Sequence, residues 1–377
     1  MTPYKIPFNK PLFFGSEIEN VKDAIERGQI SGDGYYSKKC QEFLENILGV
    51  PKVLITTSCT HALEMSAILL ELKAGDEVIL PSYTFVSTAN AFALRGATPL
   101  FCDIRRDTLN IDENLIEGLI TERTKAIVVV HYAGVGCEMD TILNISQKYN
   151  IPVVEDNAHG LFGKYKGKYL GTFGRFATQS FHETKNFTSG EGGALIINNK
   201  EFIQRAEIVR EKGTNRSRFF RGEIDKYTWV DIGSSYVISD ILCAYLYAQF
   251  ERWQDVQKKR KEIWNYYYNN LKDWADENRI GLPFIPDYCD QPYHMFYLIM
   301  PSLQKRQELI EYLKSKGILS VFHYQPLHLS EMGIRVGNGK CSVTEAMSKL
   351  ILRLPFYFSI GVEEQKEITD LIKAFKV

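Results

Sequence analysis

One lysine in this chain sits in a setting that invites chemistry. Ser180-Phe181-His182-Glu183-Thr184-Lys185-Asn186 is followed by Gly190-Glu191-Gly192-Gly193 and the apolar run Ala194-Leu195-Ile196-Ile197, which reads as strand, polar turn, glycine-rich corner and second strand. A lysine on a polar turn is ordinarily solvated and inert, but its partners along the chain change that reading. Ile151-Pro152-Val153-Val154-Glu155-Asp156 reads as a buried strand delivering a carboxylate at its C-terminal end, where open α/β sheets bind ligands. Thr57-Ser58-Cys59-Thr60-His61 places small hydroxyl residues at a strand-to-helix junction. The free N–H groups and positive dipole end of a helix start suit a phosphate.

Phosphate site, carboxylate and lysine are together what a pyridoxal 5′-phosphate (PLP) enzyme requires. Lys185 would form a Schiff base with the aldehyde, Asp156 would pair with the pyridinium nitrogen, and the helix end would anchor the phosphate. Phe85, in Pro81-Ser82-Tyr83-Thr84-Phe85 after another strand, suits stacking on a flat ring and ordinary core packing equally well. His131 also follows a strand and reads as structural.

Other candidates are less sharply defined. The long segment from Gly213 to Trp229 carries Arg216, Arg218 and Arg221 among aromatic and polar residues. A loop of that length is functional or disordered, and its aromatics argue against disorder. Its arginines suit either a diphosphate, through bidentate contacts, or plain surface charge. His323 and His328 are expected on opposite faces of one strand with no acidic third ligand, so no metal is expected there. Substrate contact or a structural role is preferred for His323. Ser31-Gly32-Asp33-Gly34 reads as a loop between two helices that can also line a pocket.

The elements that must position these residues alternate as in an α/β domain. Strands are expected at Val53–Thr57, Glu77–Pro81, Thr98–Cys102, Ala126–Val130 and Val153–Asp156, with helices between them and both sheet faces covered. From Ser239 to about Asp273 the sequence is strongly helical and leads out of the sheet. Strands at Met295–Met300 and Leu319–Phe322, with three helices, then suggest a small α+β unit. The expected division is a large domain over 1–245, including an N-terminal arm, and a small C-terminal domain over 246–377.

Bulk properties exclude several classes. With 377 residues and a net charge of −1, a nucleic-acid or membrane-surface partner is not expected. Seven scattered cysteines with no C-x-x-C pair favour reduced thiols over a disulfide frame or a zinc site. No apolar run nears the ~20 residues that span a bilayer, and the N-terminus has no apolar signal core. A cytoplasmic setting is expected.

Through Thr57–Leu63, Pro81–Asn90, Val154–Gly160, Ser180–Gly193 and Asp231–Asp240, the chain resembles the DegT/DnrJ/EryC1/StrS sugar aminotransferases over essentially its whole length. That resemblance implies the fold type I, aspartate-aminotransferase-like architecture. It assigns Lys185 as the Schiff-base lysine, Asp156 as the partner of the ring nitrogen, Phe85 as the stacking aromatic, and His159 as a contact near the ring hydroxyl. Ser58, Cys59, Thr60 and Ser180 would surround the phosphate. Many relatives supply an asparagine from the neighbouring subunit within Gly-Tyr-Asn-Tyr; here the stretch is Gly233-Ser234-Ser235-Tyr236, so Ser235 would take that place in a homodimer with shared active sites.

The resemblance is strongest, through His182–Asn186 and Glu211–Tyr236, to members that transfer the amino group of L-glutamate to C4 of dTDP-4-dehydro-6-deoxy-D-glucose. Their product, dTDP-4-amino-4,6-dideoxy-D-galactose, enters cell-surface polysaccharide such as lipopolysaccharide or enterobacterial common antigen. The gluco C4 epimer, amination at C3 of a 3-keto sugar, and a non-catalytic nucleotide-sugar binder are the alternatives. Related sugar dehydratases carry histidine at the lysine position, which here is Lys185.

Overall fold

The computed structural model describes residues 4–377. Strands β1 (Lys52–Thr56), β2 (Glu77–Pro81), β3 (Thr98–Cys102), β4 (Thr124–Val130) and β5 (Val153–Asp156) form within a residue or two of their expected places. A short hairpin, β6 (Lys164–Tyr165) and β7 (Lys168–Tyr169), precedes β8 (Phe176–Ser180) and β9 (Gly193–Ile197). The central sheet has seven strands in the order β1-β9-β8-β5-β4-β2-β3. The β2–β3, β2–β4, β4–β5 and β5–β8 pairs are parallel, whereas β9 is antiparallel to both of its neighbours. Six strands therefore point one way and only β9 opposes them.

Helices α1 (Ser16–Glu26), α2 (Tyr35–Leu48), α3 (Cys59–Leu69) and α4 (Val86–Ala93) lie among the covering elements. Alternation along β1 shows why both faces need cover: Leu54 joins a core with Leu63 and Phe176, while Val53 and Ile55 join another with Leu44 and Phe250. Successive side chains on a strand point to opposite faces, so an unbroken apolar run implies burial on both.

The strongly helical stretch after Ser239 forms two helices, Asp240–Phe250 and Trp253–Glu277, divided where Arg252 leaves helical geometry at φ −117° and ψ 24°. Downstream, β10 (Cys289–Asp290) joins the β6–β7 hairpin, and β11 (Tyr297–Ile299), β12 (Val321–Phe322) and β13 (Ile351–Arg353) make a second three-stranded sheet in the order β11-β13-β12. Its core, with Leu298, Leu309, Leu352 and Ile368, also takes in Ile6 from the N-terminal arm. The fold is thus a large, mostly parallel α/β layer followed by a smaller α+β unit.

Two local expectations change. β12 ends at Phe322, so His323 and His328 do not share a strand; His328 lies in a 3-10 turn, bonded to Ser82 and Glu345. The segment after Gly213 is not structureless: it holds a short helix, Arg216–Phe220, and is tied back by a Thr214–Trp229 bridge. All seven cysteines are free thiols. Among the described residues no helix is long and apolar enough to cross a membrane, and no group of three or more His, Cys, Asp or Glu side chains is arranged to hold a metal ion.

Candidate active site

Because six strands are co-directional, the loops after β1, β2, β4, β5 and β8 emerge along one edge of the sheet, and the antiparallel β9 begins there. A cavity of about 570 Å³ opens at this edge. Its lining joins Ser58, Cys59 and Thr60 after β1, Phe85 after β2, Asp156 and His159 at the end of β5, and Ser180 and Lys185 after β8. His323, from the smaller unit, closes it. Eight of the residues singled out in sequence by one chemical hypothesis, and His323 with them, therefore face one space.

The start of α3 is a capped helix N-terminus whose first residues line this cavity. Ser58 is extended (φ −164°), and its hydroxyl accepts the His61 N–H at 3.1 Å, a cap that stabilises a helix by about 1 kcal/mol. Thr60 Oγ1 and Ser87 Oγ lie 2.7 Å apart at its side. Gly193 permits the arrangement: a Cβ there would sit 2.3 Å from Cys59 N and from the Ser58 carbonyl carbon. The Cys59 thiol is 3.4 Å from Thr178 Oγ1, and burial pushes its pKa up, so it is a packing group rather than a nucleophile.

Alternation decides which carboxylate of Glu155-Asp156 faces the cavity. Glu155 points away and accepts from the N–H groups of Gly171 (2.8 Å), Phe173 (2.7 Å) and Gly174 (2.7 Å) and from His131 Nε2 at 2.9 Å. Because the Cys137 N–H donates to His131 Nδ1, the proton of that imidazole lies on Nε2. His131 is structural, as its sequence position suggested.

Among the described residues Asp156 has only two donors: Thr88 Oγ1 gives a hydrogen bond to Oδ2 at 2.7 Å, and Ala158 N–H one to Oδ1 at 3.2 Å. Thr84 Oγ1, 2.7 Å from Thr88 Oγ1, completes the relay. Burial raises the pKa of this carboxyl, offset in part by those hydrogen bonds and by Lys185. Such a group is stabilised as an anion when a cation is placed against it.

The main-chain N–H of Lys185 donates to the His182 carbonyl at 2.9 Å, closing the turn. Enclosure in the cavity wall lowers the amine from its ordinary 10.5 to about 8, with Cys59 and Asp156 partly opposing. The residue keeps some accessible surface, so it is enclosed without being sealed. Asn186 fastens the adjoining chain: its amide donates to the Pro292 carbonyl at 2.8 Å and its Oδ1 lies 3.0 Å from His294 Nδ1. The His294 ring stacks on His159 with centroids 4.3 Å apart and planes 17° from parallel. Burial holds His159, His294 and His323 neutral at physiological pH, and among the described residues His159 Nδ1 has no partner.

Phe85 is 57 % exposed and lines the cavity, which rules out the core-packing alternative. Ser235 is exposed and lies, with Arg216 and Arg221, along a second cavity of about 760 Å³ that Lys185 does not line. Within one chain the three loop arginines meet carboxylates instead: Arg216 pairs with Glu211 (3.2 Å), Arg218 with Glu223 (3.0 Å), and Arg221 with Glu207 (2.9 Å) and Glu223 (2.6 Å). Sequence reasoning did not single out Thr88, His294, Tyr324 or Arg353, all of which line the lysine cavity. Thr88 stands four residues after Thr84 in a helix start, a spacing that was available to be read; Arg353 offered only its position as a lone charge in Ile351-Leu352-Arg353-Leu354.

An enclosed lysine, a buried carboxylate short of a cation and a capped helix start, all at the carboxyl edge of a mostly parallel sheet, define a cofactor-dependent α/β enzyme site. The chain belongs to the DegT/DnrJ/EryC1/StrS aminotransferase family, which it matches over residues 14–373. It is 36 % identical over 332 residues to the uncharacterized protein MJ1066 of Methanocaldococcus jannaschii, covering 86 % of this chain and 84 % of that one. It is 30 % identical to the spore coat polysaccharide biosynthesis protein SpsC of Bacillus subtilis, over 98 % of this chain and 96 % of that one. The putative sugar aminotransferase Spr1654 of Streptococcus pneumoniae superposes with a TM-score of 0.91 in its apo-form at 28 % identity, covering 98 % and 97 % of the two chains. Spr1654 is also known in PLP- and PMP-forms, each with a TM-score of 0.90. The architecture is fold type I.

Proposed function

We propose that this aminotransferase uses PLP to move the amino group of L-glutamate to C4 of dTDP-4-dehydro-6-deoxy-D-glucose, giving dTDP-4-amino-4,6-dideoxy-D-galactose. The observation that carries the cofactor reading is the joint presence of Lys185, Asp156 and the α3 start around one cavity. The residues fit the group: an unpaired buried carboxylate matches a protonated ring nitrogen, and the capped helix end matches a phosphate. When bound, the cofactor supplies an aldehyde that takes up the donor's amine and a ring that withdraws electrons from the α-carbon.

The chain's own residues do the rest. Lys185 Nζ, less basic than an exposed lysine, removes the α-proton of the donor and later delivers a proton at C4 of the sugar. Asp156 stays ionised against a cationic ring, oriented by Thr88. Phe85 offers a flat face for the ring, and His159 offers a nitrogen still in need of a partner. One water supplies the keto oxygen as glutamate leaves as 2-oxoglutarate, and the sugar carbonyl oxygen leaves as another water.

Ser235 is exposed and away from its own chain's lysine cavity, which is the placement expected of a residue serving the site of a second copy. A homodimer with shared sites follows from that reading, and Arg216, Arg218 and Arg221 on the preceding Gly213–Trp229 segment would be candidates for the diphosphate there. The boundary between the large and small domains is proposed near residue 245, and the setting is proposed to be cytoplasmic. The polysaccharide role named for SpsC supports a product destined for cell-surface polysaccharide. Assaying 4-keto and 3-keto dTDP sugars side by side, with NMR of the product, tests the assignment. An axial amine at C4 is expected; an equatorial C4 amine or a C3 amine would move the reading to its neighbours, and no amination of any sugar would favour a nucleotide-sugar binder.

A further inference from the structure

His294 reaches the lysine cavity from the irregular stretch before β11, and its main chain is fixed there. The preceding residue, Tyr293, sits in the left-handed region at φ 53°, a conformation unfavourable for a bulky side chain unless the surroundings impose it. Arg260, on the Trp253–Glu277 helix, supplies that constraint: Nε donates to the Tyr293 carbonyl at 2.9 Å and a terminal nitrogen to the His294 carbonyl at 2.6 Å. One residue earlier, Pro292 is wedged against Gly134, where a Cβ would lie 2.5 Å from the proline Cδ. The His294 side chain then meets the residue that follows the reactive lysine. Asn186, buried, commits its amide N–H to the Pro292 carbonyl at 2.8 Å, so its Oδ1 faces His294 Nδ1 as an acceptor at 3.0 Å. His294 therefore carries its proton on Nδ1.

We infer that His294 is a positioning residue: through its Nδ1–H and Asn186 it fixes the turn from which Lys185 projects, setting where the amine stands relative to a cofactor aldehyde. This rests on the proposed function and adds to it a residue outside the covalent chemistry. The turn has few other fastenings. The Lys185 N–H bond to the His182 carbonyl closes it locally without tying it to its surroundings. Among the described residues the main-chain N–H groups of Asn186 and Phe187 meet no acceptor, and the next tie is Thr188 N–H to Gln249 Oε1 at 2.8 Å. The Asn186 side chain is thus the first anchor after the lysine. Removing the His294 donor would strand its buried oxygen, which costs more than a lost contact. The stack of His294 on His159 is a separate interaction that any flat ring could make. An amine displaced by about 1 Å can lose on the order of 100-fold in rate, so a clasp one residue away matters to it.

The test compares PLP with pyridoxamine phosphate (PMP) on the full-length, cofactor-free protein. PLP is captured when the Lys185 amine condenses with its aldehyde and water is lost, whereas PMP carries an amine in that place and binds without the lysine. His294→Phe keeps a flat ring against His159 and removes the donor. The absorbance that follows PLP addition is expected to grow at least about 10-fold more slowly, with PMP affinity, read by calorimetry, within about 2-fold of wild type. His294→Asn places an amide N–H near the position of Nδ1 and is expected to recover most of the rate although it lacks the ring. Should the phenylalanine variant not fold, Asn186→Ala removes the acceptor instead and is expected to give the same split between PLP and PMP. Wild-type capture in the folded variant that lacks donor or acceptor, equal losses for PLP and PMP, or an asparagine variant as slow as the phenylalanine one overturns the assignment. Absence of any chromophore when PLP is added to the wild-type protein would instead overturn the reading of the site itself, so the two failures are told apart.

Discussion

Thr88 holds Asp156: its hydroxyl donates to Oδ2 across 2.7 Å while accepting from Thr84, 2.7 Å away. One wall of the cavity is thereby set by a relay running from the loop after β2 into the end of β5. Thr88→Val, nearly the same shape, removes the donor and strands the Thr84 hydroxyl. A fall in kcat of about 10-fold or more is expected from losing a hydrogen bond to a charged group, with Thr88→Ser restoring most of it. Wild-type kcat in the valine variant would show that the relay is dispensable.

Gly193 and the start of α3 touch so closely that a methyl group cannot be admitted without moving backbone. Gly193→Ala should therefore displace the Ser58 cradle, weakening cofactor retention more than it weakens the sheet. Equilibrium dialysis of the cofactor, alongside a melting curve, checks this. A variant that melts normally and keeps its cofactor would argue that the α3 start is not the phosphate site.

The amine of Lys185 sets a pH signature in the cofactor-free protein. Burial lowers it from 10.5 to about 8, so between those values the unfolded chain holds a proton that the folded chain has released. Stability contributed by this group therefore rises with pH across that window. Lys185→Met abolishes the term. Below about pH 8 the variant should melt higher than the wild type, and the gap should close towards about pH 10.5. A difference in melting temperature that is flat with pH would mean the amine is not enclosed.

Much of this site was legible in sequence because its parts are local. A strand that ends in a carboxylate, a hydroxyl cluster before a helix and a lysine before a glycine-rich corner are each a few residues long, and parallel order brings their ends to one edge. What escaped was non-local. Arg353 enters from β13 of the smaller unit, and no spacing in the chain joins it to Lys185. His294 arrives on an irregular segment, positioned by Asn186 and by backbone carbonyls bound to Arg260. His323 and His328 were expected on one strand, but β12 stops at Phe322, and the 3-10 turn at Leu327–Leu329 carries His328 off to Ser82. In Glu155-Asp156 the two acids are indistinguishable by type; the loop at Gly171–Gly174, which supplies three N–H groups to Glu155, separates their roles.

Asp156 should matter far more to turnover than to folding. Burial already disfavours its charge, so Asp156→Asn removes a strained anion while keeping shape and one acceptor. Loss of about 100-fold or more in kcat is expected, in the range seen when a preorganised electrostatic group is removed, with little change in melting temperature. A variant that lost stability and activity in proportion would point to a merely structural carboxylate.

Reduction of the PLP-loaded protein with borohydride, followed by digestion and mass spectrometry, tests most directly whether position 185 carries the reactive nitrogen. The pyridoxyl adduct is expected on the peptide containing Lys185 and absent from Lys185→Ala. An adduct on another lysine, or none on a wild-type protein that had been yellow before reduction, would contradict the account.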